Sequence, residues 1–199
     1  MTLPVIPTRL FHGSSKPTID HLDAEFSCED NPFGPAIYLT EDLCVAGCYA
    51  QQRGCIYEVE LQGDPRYTIC LDQSLEDQTA EVIAAISTLL RHVGHRTPPV
   101  PHNNARETID LADPEIGKRE RNRMLRSLGI WLLYGSLNGH EMNGFCDRGV
   151  QFAVLHESVI RSQRYMFIGK TVEPFRSTWT RLRETLGLVG LRNKRSNSE

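Results

Sequence analysis

The stretch Gly34 to Ala50, GPAIYLTEDLCVAGCYA, constrains the fold more than any other part of the chain. Ile37-Tyr38-Leu39 predicts a short strand. Thr40 follows it directly with an N-cap hydroxyl, and Glu41 and Asp42 place carboxylates in a first helical turn, where the helix dipole favours them. The helix so started should reach about Gln52, with Gly54 as its stop signal. A strand that passes straight into a helix therefore carries a tyrosine on each element, Tyr38 and Tyr49, eleven positions apart.

Around this unit the pattern alternates between strands and helices. A first strand is expected from about Thr8 to Phe11, and a loop runs from Leu22 through Asn31-Pro32-Phe33-Gly34-Pro35. Cys55 to Leu61 alternates apolar and polar residues as a half-buried strand does, and Gly63-Asp64-Pro65 turns the chain out of it. Tyr67 to Leu71 is a further strand. Ser74 to His92 is the clearest helix, with Val82, Ile83, Ile86, Leu89 and Leu90 on one side and Gly94 at its end. His95 to Asn104, with Pro98, Pro99 and Pro101, reads as an exposed loop. A second helix is expected from about Pro114 to Leu128, capped by Gly129, and its run Lys118-Arg119-Glu120-Arg121 reads as a solvated face. Ile130 to Tyr134 follows as a buried strand, then a polar, glycine-rich loop from Gly135 to Gly149. Val150 to Ile160 contains a late strand, Arg164 to Ile168 a last one, and Pro174 to Leu186 a terminal helix.

Bulk properties narrow the class. At 199 residues and 40% hydrophobic content, the chain suits one domain with a helical insertion over about 74–128 and a helix with a basic tail over about 174–199. No segment approaches the roughly 18 to 20 apolar residues of a membrane span. The N-terminus lacks the basic start and apolar run of a secretory signal, so cytoplasmic residence is expected, the host cytoplasm if the protein is injected. Six cysteines do not make a disulfide framework, and Cys44, Cys48 and Cys55 lack zinc-ligand spacing, so they read as structural thiols with no metal. A formal charge of −3 gives no electrostatic case for a nucleic-acid-binding body.

Three segments in order carry a resemblance. They are Arg9-Leu10-Phe11-His12-Gly13-Ser14-Ser15, then Gly34 to Tyr38 with Tyr49, then Val150-Gln151-Phe152-Ala153-Val154-Leu155. Together they resemble the L-[YF]-H-G-[ST], G-x-x-I-Y…Y and E-Y-x-V-[FY] elements of the H-Y-E type ADP-ribosyltransferases, the poly(ADP-ribose) polymerase and diphtheria-toxin branch. The resemblance covers roughly Arg9 to Leu61 and Leu128 to Ile160. It implies an α+β fold, a split antiparallel β-sheet that binds NAD, with helices inserted. It further implies that Tyr38 and Tyr49 sandwich the nicotinamide, that His12 bonds a ribose hydroxyl of the adenosine half, and that Gly13 brings bare backbone to the carboxamide. Ser14 completes that strand motif. Ala46 stands where the family often has a serine on the carboxamide, which removes a hydrogen bond typically worth about 1 kcal/mol.

At the position of the family's catalytic glutamate this chain has Gln151. A neutral amide orients the ribose but adds no negative charge beside the developing cation, and that electrostatic contribution is usually the largest in catalysis. The acids nearest in sequence are Asp147 and Glu141 in the preceding loop, with Glu157 beyond the strand. Read without the resemblance, Tyr38 and Tyr49 are ordinary core aromatics, and Asp147 and Glu141 are ordinary loop carboxylates. With it, the expectation is a mono-ADP-ribosyltransferase acting on NAD as substrate, with a protein acceptor ahead of a nucleic-acid base. The context it implies is a toxin, an effector or an anti-defence protein. The alternative is an inactive module that binds NAD or ADP-ribose and works by protein interaction.

Overall fold

A computed structural model describes residues 3–50, 54–95, 100–136, 141–142, 145–146 and 149–166. In chain order the elements are β1 (Leu10–Ser14), β2 (Ile37–Thr40), α1 (Leu43–Ala50), β3 (Cys55–Leu61), β4 (Thr68–Cys70), α2 (Ala80–His92), α3 (Ala105–Asp110) and α4 (Asp113–Ser127). They continue as β5 (Leu132–Ser136), β6 (Glu141–Met142), β7 (Phe145–Cys146), β8 (Val150–Val154) and β9 (Ile160–Met166). The fold is α+β. Seven strands form a mixed sheet in the order β4-β5-β8-β2-β1-β3-β9, and β6 and β7 pair separately as a small hairpin. Among the described residues no helix is long and apolar enough to cross a membrane.

The sheet differs from a wholly antiparallel one at its β4–β5 edge, where the pair is parallel. The physical reason is the connection. Two parallel neighbours need a crossover rather than a tight turn, and α2, α3 and α4 supply it between Cys70 and Leu132. The expected helical insertion over 74–128 is thus the crossover that places β5 beside β8.

Strand alternation divides the core between the two faces of the sheet. Ile69, Leu71, Leu133, Ala153 and Leu155 pack with Val82, Ile86 and Leu89 of α2 and Leu125 of α4. Their strand neighbours Leu132 and Val154 join Leu10, Ile37, Leu39, Val59 and Phe152 in a second cluster. At roughly 25 cal/mol per Å² of apolar surface, such side chains supply most of the driving force for this topology.

Several boundaries moved for identifiable reasons. β1 extends through Ser14 because it pairs along its whole length with β3, Leu10 opposite Val59 and Ser14 opposite Cys55. The N-cap of α1 is Asp42 rather than Thr40. The Asp42 carboxylate accepts from the Cys44 N–H at 2.7 Å, while the Thr40 hydroxyl accepts from the Asp42 N–H at 3.1 Å. The helix read from Ser74 begins at Ala80, where the Thr79 hydroxyl accepts from the Val82 N–H. A short helix absent from the sequence reading, α3, is capped by Asn104, whose side chain accepts from the Glu107 N–H at 2.7 Å. α4 is broken at Gly117, whose φ of 72° and ψ of 162° are not helical. The terminal helix expected over 174–186 and the basic tail over 181–195 lie outside the described residues.

Candidate functional site

β2 sits between β1 and β8, and register puts one row of residues across the three strands. Thr40 is opposite Phe11 on one side and opposite Gln151 on the other. Tyr38 lies two residues up the same strand, opposite Ala153. α1 then carries Ala46 and Tyr49 over the ends of β1 and β2, and these pieces wall a cavity of about 330 Å³. His12, Gly13, Ser14, Tyr38, Ala46, Tyr49 and Gln151 all line it, although they come from four separate elements. The volume falls at the low end of small-molecule sites.

The close fit of α1 on β1 explains Gly13. A Cβ there would stand 1.9 Å from the Ala46 carbonyl oxygen, a backbone atom with nowhere to go. The helix contact alone is therefore enough to exclude a side chain at this position. Gly54 meets the same constraint, with both the Ala50 and Ser14 carbonyl oxygens 1.9 Å from its would-be Cβ. It serves α1 by close packing on β1. Ala46 is fully buried at this contact.

His12 is held in one protonation form. Its Nδ1 lies 2.9 Å from the Tyr38 carbonyl oxygen, which can only accept, so Nδ1 carries the proton. Burial holds the pKa below its ordinary value and outweighs the raising effect of that bond. A neutral ring then presents Nε2 as a hydrogen-bond acceptor, suited to a hydroxyl donor. Burial likewise pushes the Tyr38 phenol well above its usual range, so its O–H stays protonated. That hydroxyl donates to the Gly34 carbonyl at 2.8 Å and accepts from the Phe33 N–H at 2.9 Å, with the ring stacked on Phe33. Gln151 is 3% exposed, and its Nε2 donates to the Tyr49 hydroxyl at 3.0 Å. The strand glutamine and the helix tyrosine are therefore linked across the cavity.

The other wall, residues 19–36, is made mostly of the stretch from Leu22 to Pro35 that was read only as a loop. Ile19, His21, Leu22, Asp23, Phe26, Ser27, Asn31, Pro32 and Ala36 line the cavity from it. It is tied down from outside. The Tyr57 hydroxyl donates to the Ile19 carbonyl at 2.7 Å and accepts from its N–H at 2.8 Å. From α4, Lys118 donates to the Asn31 carbonyl, Arg119 to Glu25 and Glu29, Arg121 and Asn122 to the Phe33 carbonyl, and Asn122 also to that of Pro35. Glu25 accepts from three arginines, Arg119, Arg123 and Arg126. The Arg123 hydrogen bond leads in holding its carboxyl below the usual range. Gly34 enters here too: its φ is 77°, and a Cβ would lie 2.6 Å from that of Lys118.

The run Lys118 to Arg121 is thus not a solvated face. Arg121 is 1% exposed, paired with Asp110 at 3.0 Å and Asp113 at 2.8 Å. A signal for part of this was present in the sequence. Arg119, Arg123 and Arg126 stand at i, i+4 and i+7, one helix face, and so large a basic stripe calls for an acidic partner.

Of the acids expected to assist, Glu141 is described only by its backbone pairing with Cys146, and Asp147 lies outside the described residues. Glu157 opens a short 3₁₀ turn after β8 and does not line the cavity. Among the described residues Asp23 is the sole carboxylate in the lining, and it accepts from the Glu25 N–H at 2.8 Å. The root of the loop after β5 is fixed by Asp72, which accepts from the Ser136 N–H at 2.6 Å and its hydroxyl at 2.9 Å, and by Arg106, which donates to the Ser136 carbonyl. No protein-family model matches this chain, and neither a curated protein nor a solved structure matches it.

Proposed function

We propose that the protein is a mono-ADP-ribosyltransferase of the H-Y-E type, with NAD as its substrate and a macromolecule, a protein side chain first, as acceptor. The observation that carries this reading is the convergence of the motif residues. His12, Gly13, Ser14, Tyr38, Ala46, Tyr49 and Gln151, scattered over 140 positions of sequence, line one cavity.

On this reading the neutral His12 accepts a ribose hydroxyl at Nε2, and Tyr38 and Tyr49 flank the nicotinamide. Gln151, fixed by Tyr49, orients the reacting ribose. The bond between C1′ and the nicotinamide nitrogen breaks with its electron pair leaving on nicotinamide. The acceptor atom then bonds to C1′, and its proton passes to a carboxylate from the chain between β5 and β8, Asp147 or Glu141. The same carboxylate supplies the negative charge that an amide at 151 lacks. Holding the two reactants in line contributes through lost rotational and translational freedom.

The test is incubation with labelled NAD and cell lysate, scoring labelled macromolecule and released nicotinamide. Absence of both products would sink the proposal. Asp147→Asn should cut turnover by about 100- to 1,000-fold with little change in NAD affinity, whereas Gln151→Ala should harm both. A second reading is favoured by one observation, that Asp23 is the sole described acid lining the cavity and is already engaged as a cap. It is a binding module for NAD or ADP-ribose without turnover. That module would bind NAD in calorimetry, release no nicotinamide, and gain no activity from Gln151→Glu.

A further inference from the structure

The short 3₁₀ turn Ala24–Phe26 sends its three residues in three directions. Ala24 is buried in the core. Glu25 turns to α4, where it meets Arg119, Arg123 and Arg126 at 3.0, 3.1 and 3.4 Å. Phe26 turns to the cavity, where it is part of the lining yet 85% exposed. A phenyl ring that the fold leaves uncovered at the wall of a cavity is a surface for a flat partner. Arg119 adds a bond to the Ser27 carbonyl, so the residues on both sides of Phe26 are gripped by the same helix. A contact held in place before the ligand arrives loses less freedom on binding than a mobile one.

We infer that Phe26 stacks on a planar ring of the bound ligand and that Glu25, clamped by the arginines of α4, is the positioning residue that sets its place. This rests on the dinucleotide reading, in which the ring is the adenine or the nicotinamide of NAD. Neither residue is part of the strand and helix motifs that carry that reading. Stacking of a base on an aromatic side chain depends on area and orientation, so an anchored ring gives more than a tethered one.

Calorimetric titration of the full chain with NAD, ADP-ribose and nicotinamide mononucleotide tests it, on the parent protein, Phe26→Ala, Glu25→Gln and the double variant. Phe26→Ala should weaken NAD binding about fivefold or more and leave the melting temperature nearly unchanged, since the residue is 85% exposed. If the loss carries over to ADP-ribose, the ring is adenine; if to the mononucleotide, it is nicotinamide. Glu25→Gln should weaken NAD binding in the same direction. The double variant should be no weaker than Phe26→Ala, because Glu25 acts through Phe26. Parent-like affinity in Phe26→Ala would overturn the stacking contact, and additive losses in the double variant would overturn the positioning role. A parent protein that binds no NAD would instead overturn the dinucleotide reading on which the inference rests.

Discussion

On the sheet side of the cavity, β1, β2 and β8 lie next to one another, and α1 rests on β1 with no room for a side chain at Gly13 or Gly54. On the loop side, residues 25–35 hold their place through α4 residues 87 to 101 positions further along the chain. The first wall is built from backbone ladders and close packing, both short-ranged and insensitive to charge. The second depends on guanidinium and amide groups that bond loop carbonyls and two glutamates, Glu25 and Glu29. Each wall should therefore fail separately, and under different conditions.

The largest effect is expected on the loop side. Arg121→Ala leaves Asp113 without its buried partner and removes one of the two donors on the Phe33 carbonyl. A loss of about 3 kcal/mol is expected in urea unfolding, the low end for a broken buried pair because Asp110 is half exposed. Hydrogen exchange should rise across 25–35 and stay low in β1 and α1. Uniform loosening of both walls would break the distinction.

Gly13→Ala attacks the sheet side. A methyl group 1.9 Å from the Ala46 carbonyl forces α1 away from β1, at about 2 kcal/mol in the same unfolding measurement. Exchange should now rise in α1, and Tyr49 should lose its bond to Gln151. If α1 stays protected and 25–35 loosens instead, the helix is not what the glycine serves.

A third test uses pH. The His12 pKa is lower in the folded chain than its ordinary 6.5, so below 6.5 the unfolded chain takes up a proton that the native ring resists. Stability from this group is full above pH 6.5 and falls as pH drops toward the folded value, with a slope of at most about 1.4 kcal/mol per pH unit. The carboxylates with lowered pKa, such as Glu25 and Asp72, start from 4.5 or below, and burial raises that of Asp113 with the opposite sign, so the share of the slope between pH 6.5 and 5 that belongs to His12 is read by comparison with a variant. His12→Gln should flatten that window. An unchanged slope would show that the ring is not buried neutral.

The smallest effect should come from Arg126→Gln, which removes one of three arginines on Glu25. Both partners are about one-third exposed, so the stability change should stay within about 0.5 kcal/mol. A loss comparable with that of Arg121→Ala would mean the exposed pairs act as one unit with the buried one.

Much of the sheet wall was legible in the sequence. The strand at Ile37, the helix carrying Tyr49 and the helical insertion follow from patterns within a few residues, and the late strand at Gln151 was expected from the family resemblance. The order of the motif segments followed too, and they line one cavity. Single positions were legible in kind but not in cause. Gly13 was read as making room for a ligand, and the packing of α1 already requires a glycine there. Thr40 was read as the cap, and Asp42 holds that place because its carboxylate reaches the Cys44 N–H.

What only the tertiary structure decided is which distant groups meet. Periodicity states that a face is basic but not which carboxylate it faces, so Arg119, Arg123 and Arg126 stood on one helical stripe with Glu25 unassigned as their partner. Arg121 reads as a surface charge in any window of sequence. It is buried because Asp110, Asp113 and the Phe33 carbonyl surround it, and a charge can leave water only where such partners wait. The parallel β4–β5 pair is of the same kind, since strand direction is set by the path of the crossover and not by the residues of either strand. Local chemistry fixed the elements and the motif, and long-range complementarity of charge and hydrogen bonding fixed the second wall of the cavity.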